Sequence, residues 1–158
     1  MLMCAAVECA GNHVAPNVVT DRVAGHVMLV DDEYEDALLL ATLLAPLDAT
    51  IVVAKSAEEA LATLDTRLVD LVVTDLNMPG ASGLDLVREL RKRRDVPAVI
   101  FMTGSMSARD EVAAFELGAI AYLPKPVDVG HLMGLAREIL RTRCAQRTID
   151  AAKGRADV

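Results

Sequence analysis

From His26 onward the chain alternates short apolar runs with longer stretches in which apolar residues recur every three or four positions. The runs are Val27–Val30 (VMLV), Thr50–Ala54 (TIVVA), Leu71–Thr74 (LVVT), Ala98–Met102 (AVIFM) and the brief Ile120–Leu123 (IAYL). Each has the length of a strand and most are rich in Val and Ile. None alternates polar with apolar residues, which predicts strands buried on both faces. The stripes between them predict five helices. Their markers are Leu38, Leu39, Leu43, Leu44 and Leu47; then Ala57, Ala60, Leu61 and Leu64; then Leu84, Val87 and Leu90; then Val112, Phe115 and Leu117; and last Leu132, Leu135 and Ile139. The first helix should end near Pro46 and the fourth at Gly118. Ser56, Ser82 and Ser107 each precede an acidic residue by three positions (Glu59, Asp85 and Asp110), the signature of a capping box.

Five strands alternating with five helices predict an α/β fold, a parallel sheet with helices on both faces. Crossover handedness and the need to cover both faces favour an open, doubly wound sheet. This domain spans residues 26–142. Residues 1–25 lack sustained periodicity and are expected to be a flexible N-terminal arm. Residues 143–158 are expected to be a basic, solvated C-terminal tail, with extension of the last helix or a contact to an acidic partner as alternatives.

Composition narrows the classes. Hydrophobic residues make up 53% of the 158 and charged residues 25%, a globular and not a disordered balance. Aromatics are only 3%, so the core must be aliphatic and few rings are on offer for base stacking. A net charge of −7 with no basic stripe in the central region argues against direct nucleic-acid binding. The longest apolar run, Ala37–Leu47, is too short to span a bilayer, and the opening segment, with no basic residue ahead of its apolar part and Glu8 within it, is not expected to act as an export signal. Cys4, Cys9 and Cys144 are expected to be reduced thiols in a cytoplasmic protein. Cys4, Cys9 and His13 do not have a zinc-ligand spacing.

The chemically loaded residues share one place in their units. Asp31 and Asp32 follow the first run, Asp75 the third and Thr103 the fourth; Lys125 follows the fifth. All five therefore lie at carboxyl ends of strands, where the ligand crevice of an open parallel sheet forms. Three carboxylates crowded there repel one another, and an oxygen-only set suits magnesium better than zinc. Asp31 and Asp32 would hold the ion, with the Asn77 backbone carbonyl completing its shell. Asp75 would be the nucleophile toward a phosphoryl donor, and Lys125 and Thr103 would bind phosphoryl oxygens. Singly, each residue is more readily a cap, a turn former or a solvated side chain. Five of complementary chemistry on one edge are not.

These segments resemble the receiver domain of bacterial response regulators. VMLVDDE is similar to that family's first strand and acidic pair, and VVTDLNMPGASGLDLVREL to its phosphoacceptor strand, loop and helix. IFMTGS is similar to its fourth strand with the switch hydroxyl, and GAIAYLPKPVD to its fifth strand with Lys-Pro. The resemblance implies a flavodoxin-like receiver fold, five parallel strands in the order 2-1-3-4-5 with five helices. It implies magnesium dependence and phosphoryl transfer to Asp75 from a histidine kinase or histidine phosphotransfer protein. Asp31, Asp32, Asp75 and the Asn77 carbonyl would form the metal site, and Thr103 and Lys125 the phosphoryl contacts. Thr103 and Tyr122 would form the switch. A downstream protein target is expected on the face formed by the fourth helix, fifth strand and fifth helix. A phosphorylation-dependent homodimer is left open.

The protein is then no enzyme toward other substrates, catalysing only its own phosphorylation and dephosphorylation. The short segment after Leu140 points to a stand-alone receiver. The alternatives are a fragment of a larger DNA-binding regulator, a phosphorylation-independent binding module, and a haloacid-dehalogenase-like phosphatase. The last expects a DxD pair on the first strand, whereas here the nucleophile lies on the third and position 77 is Asn.

Overall fold

The structure, a computed structural model, describes residues 7–9 and 25–156. Its elements run β1 (Val7–Cys9), β2 (Gly25–Val30), α1 (Tyr34–Leu43), β3 (Ala49–Ala54), α2 (Ala57–Leu64) and β4 (Leu71–Asp75), followed by α3 (Gly83–Leu90), β5 (Ala98–Thr103), α4 (Ala108–Glu116), β6 (Ala121–Pro124) and α5 (Val129–Ala156). The five strands predicted from the apolar runs are β2 to β6, and they lie in the order β3-β2-β4-β5-β6, all parallel. This is the 2-1-3-4-5 arrangement.

Two features depart from expectation. Val7–Cys9, inside the segment expected to be an arm, forms a sixth strand parallel to β3, with Val7 opposite Ile51. Three residues are too few to leave a periodic signal, and pairing to an existing edge supplies what the pattern lacks. Cys4 and His13 lie outside the described residues. The second departure is at the other end. The last helix does not give way to a tail at residue 143 but continues to Ala156, 28 residues in all.

Strand residues alternate between two cores because successive side chains point to opposite faces. Val27, Leu29, Ile51, Val53, Leu71, Val73, Ile100 and Met102 pack under α1 and α5 through Ala37, Ala41, Leu132 and Ala136. Met28, Val30, Val72, Val99 and Phe101 pack under α2, α3 and α4 through Ala57, Ala60, Leu86, Val87 and Ala114. Helix faces were harder to foresee. In α1 the small Ala37 and Ala41 are buried, while Leu39 is 59% and Leu43 46% exposed. In α4 only Ala114 is buried, while Val112 and Phe115 point outward. Alanine lets a helix approach the sheet closely, so the bulkier residues of the same helix are left outside.

The three serine caps form, but only one full capping box results. Ser82 accepts from the Asp85 amide (3.2 Å) and its own amide donates to Asp85 Oδ2 (3.0 Å). At Ser56 the Glu59 carboxylate turns to the Lys55 amide instead (2.7 Å). Ser107 accepts from the Asp110 amide alone. Because α3 opens directly behind the loop that follows Asp75, Ser82→Ala should cost about 1 kcal/mol of stability in urea unfolding. Gly118, with φ +81°, ends α4 in the left-handed region, and its carbonyl accepts from Arg91 (3.0 Å).

Candidate functional site

The carboxyl ends of β2, β4, β5 and β6 bring the five singled-out residues to one edge. Asp31 and Asp75 are almost fully buried and Thr103 completely so, whereas Asp32 stays exposed. Carboxylate oxygens of Asp31, Asp32 and Asp75 lie within 4.8 Å of one another. Lys125 reaches between two of them, with Nζ 2.7 Å from Asp31 Oδ2 and 3.2 Å from Asp75 Oδ2. Its amide donates to the Thr103 carbonyl (2.7 Å), which ties the loop after β6 to the end of β5. The Lys125–Pro126 peptide is cis.

Electrostatics follow from this burial. Loss of solvent pushes the Asp75 carboxyl above its usual range, against the opposing pull of Lys125 and the Asn77 amide. Burial by itself would lower the Lys125 ammonium, but the hydrogen bond and charge of Asp31, then Asp75, outweigh it and leave it raised. The arrangement is an acidic pocket holding one fixed cation, with more negative charge than that cation neutralises. Its all-oxygen donor set suits a hard divalent cation.

The remaining contacts surround Asp75. The Asn77 amide donates to Asp75 Oδ1 (3.2 Å), and Asn77 Nδ2 stands 3.5 Å from Thr103 Oγ1. Thr103 faces the loop after β5, donating to the Ser105 carbonyl (2.9 Å) and accepting from the Ser105 amide (3.1 Å). Tyr122 is turned inward, 7% exposed within the core under α2, α3 and α4, and its hydroxyl is buried without a hydrogen-bond partner.

One residue that supports the site gave no sequence signal. Gly83, the first residue of α3, donates its amide to the Leu76 carbonyl (2.9 Å). A methyl group added to it would overlap the Asp75 carbonyl oxygen and sit 3.1 Å from Leu76 Cα. A glycine after a capping serine looks like an ordinary helix start. Only the return of α3 against the end of β4 reveals why no side chain fits.

The family profile of the response regulator receiver domain matches residues 27–137, most of the chain. The chain belongs to this family. The receiver is 43% identical over 115 residues to the transcriptional regulatory protein CpxR of Klebsiella pneumoniae, covering 73% of this chain and 49% of that one. It is 39% identical over 137 residues to the positive alginate biosynthesis regulatory protein of Pseudomonas aeruginosa, covering 82% and 54%. It thus spans about half the length of these curated relatives. Among solved structures, a response regulator receiver protein from Pseudomonas putida superposes with a TM-score of 0.71 at 32% identity, over 74% of this chain and 98% of that one. A CheY-like receiver domain from Methanospirillum hungatei gives 0.72 at 25%, over 78% and 98%. The family is that of two-component signalling, and no helix among the described residues is long and apolar enough to cross a membrane.

Proposed function

We propose that this receiver accepts a phosphoryl group on Asp75 from a histidine kinase or histidine phosphotransfer protein and thereby switches the binding of a protein target. The observation that carries this reading is the buried Asp75 carboxylate, flanked by Asp31, Asp32 and Lys125. An Asp75 oxygen forms the bond to phosphorus as the donor's phosphorus–nitrogen bond breaks. A magnesium ion held by Asp31, Asp32, Asp75 and the Asn77 carbonyl would neutralise charge on the phosphoryl oxygens. Lys125 keeps its bond to Asp31 and turns from the Asp75 carboxylate to a phosphoryl oxygen. Thr103 exchanges the Ser105 carbonyl for another, and Tyr122, already inward, fills the space beside it. Such contacts bias one of two conformations. Beyond its own phosphorylation and dephosphorylation the module has no turnover, and it works in the cytoplasm.

Two apolar surfaces support separate contacts for donor and target. A groove of about 500 Å³ runs from Asp31 and Lys125 between α1 and the start of α5, walled by Leu39, Leu40, Leu43, Val127 and Val129. It opens at Lys125, whose Nζ lies 3.2 Å from Asp75 Oδ2, and suits the donor. Leu43→Asp should therefore reduce transfer from a phosphohistidine donor protein by about tenfold or more while leaving labelling by acetyl phosphate unchanged. The second surface has Met106 (54% exposed) just before α4, Val112 (57%) and Phe115 (47%) on it, and Ile120 (48%) at the approach to β6. It is the face for the target.

The test is direct. Purified protein incubated with acetyl phosphate and magnesium should gain the mass of one phosphoryl group, labile to hydroxylamine, and chelation should prevent the gain. No gain, or an adduct stable to hydroxylamine, would sink the reading. A second reading draws on the half-length overlap with transcriptional regulators. In it the same module controls a DNA-binding output on a longer chain. Immunoblotting the native protein for its length separates this from a stand-alone receiver.

A further inference from the structure

Every strand of the site has a second end, and at that end lies a buried carboxylate which phosphoryl chemistry does not use. Asp70, immediately before β4, is completely buried. Its Oδ2 accepts from the His26 amide (2.7 Å), its own amide donates to the His26 carbonyl (2.8 Å), and its carbonyl accepts from the Ala98 amide (2.9 Å). One residue thus joins the starts of β2, β4 and β5. The far ends of those strands carry Asp31, Asp75 and Thr103.

The charge on this residue is met from an unexpected quarter. Helix α5 covers about 42 Å at 1.5 Å per residue, and so overshoots the sheet it packs on. The buried face Leu132, Ala136, Ile139 and Leu140 continues, at the same helical spacing, into Arg143 and Arg147. Arg147 Nη2 and Asp70 Oδ1 are both shut off from solvent and meet in an ion pair. Arg143 Nε lies 3.8 Å from Asp70 Oδ1, while its Nη2 donates to the Val96 carbonyl (2.9 Å) and Asp95 Oδ1 (3.2 Å), in the loop that leads to β5. Both arginines fall beyond the stretch matched by the family profile.

We infer that α5 beyond Leu140 is the counter-ion arm of a register pin, with Asp70 as a positioning residue that aligns β2, β4 and β5 so that Asp31, Asp75 and Thr103 meet. A buried carboxylate stripped of its partner cannot stay ionised at low cost, so it draws in water or a proton and loosens the strands it joins. Removing charge from Asp70 and Arg147 together leaves only Arg143, which keeps Asp95 and the Val96 carbonyl as partners. Asparagine at position 70 keeps an oxygen for the His26 amide. The final step, from strand register to labelling rate, rests on Asp75 being the phosphoacceptor; the pin itself does not.

The experiment compares amide hydrogen exchange and the initial rate of acetyl phosphate labelling in the full chain and in Arg147→Ala, Arg147→Lys and the double variant Asp70→Asn/Arg147→Met. Arg147→Ala should speed exchange at the His26 and Ala98 amides by about tenfold or more, with other strand amides little changed, and should slow labelling several-fold. Arg147→Lys should recover part of both, and the double variant should restore protection at His26 and Ala98. Unchanged exchange at those amides, or a uniform rise across all strands, would overturn the pin, the latter because it marks a general loss of stability. Should Arg147→Ala not fold, the double variant decides, and its failure to fold also overturns the proposal. If the parent protein takes no label at all, the phosphoacceptor reading fails while the exchange data still judge the pin.

Discussion

Asp75→Asn protein should take up no phosphoryl group from acetyl phosphate and magnesium, and without the metal it should unfold at a temperature equal to or above that of the parent. The first half follows from chemistry. The amide has no ionised oxygen to attack phosphorus. Intact mass spectrometry reads the result, and labelling should fall to the uncatalysed background. The second half follows from burial. Asp75 has a raised pKa, chiefly through desolvation, so its ionised form is disfavoured in the folded state. Protonating it stabilises the fold fully below the ordinary carboxylate value of about 3.9, and that contribution is lost as pH rises through the raised value. At neutral pH the ionised group is therefore a burden that asparagine removes, and Lys125 keeps its Asp31 partner. Differential scanning fluorimetry with and without magnesium checks the sign. A clear fall in the metal-free midpoint would show that the Lys125 pair outweighs desolvation.

Gly83→Val should be the most damaging single change outside the charged residues. Even an alanine methyl overlaps the Asp75 carbonyl oxygen, and the atoms it meets are backbone, which cannot swing aside as a flexible side chain would. Either α3 shifts outward, opening the core around Leu86 and Val87, or the end of β4 moves and carries Asp75 out of line. Overpacking of this kind costs about 2–3 kcal/mol for alanine, and valine should exceed it. Urea unfolding would measure the loss, and labelling of the folded fraction should fall as well. By contrast, Gly104→Ala, with nothing within 4 Å of an added methyl, should leave stability within about 0.5 kcal/mol.

The site was legible in the sequence because its chemistry sits at a position that apolar runs define. Asp31, Asp32, Asp75, Thr103 and Lys125 each follow a strand signal, and a parallel sheet gathers such ends whatever the loops between them do. Sidedness was less legible. The first helix is apolar around most of its circumference, so its leucines could not announce that Ala37 and Ala41 would face the sheet. Gly83 and Asp70 were hidden for a related reason, since each is explained only by what returns to meet it: the α3 backbone against β4, and two arginines from a segment expected to be solvated. The short strand at Val7 depends on an edge supplied by β3. Contacts between segments distant in sequence leave no period to find.

Division of the interior into two layers carries a practical corollary for signalling. Leu39 and Leu43 belong to the flank roofed by α1 and α5, whereas Val112 and Phe115 rise from the flank roofed by α4. The two sets of residues thus lie on opposite sides of the sheet. On the proposed reading, delivery of the signal and its collection would therefore use opposite sides of the sheet and need not be consecutive visits to one shared patch.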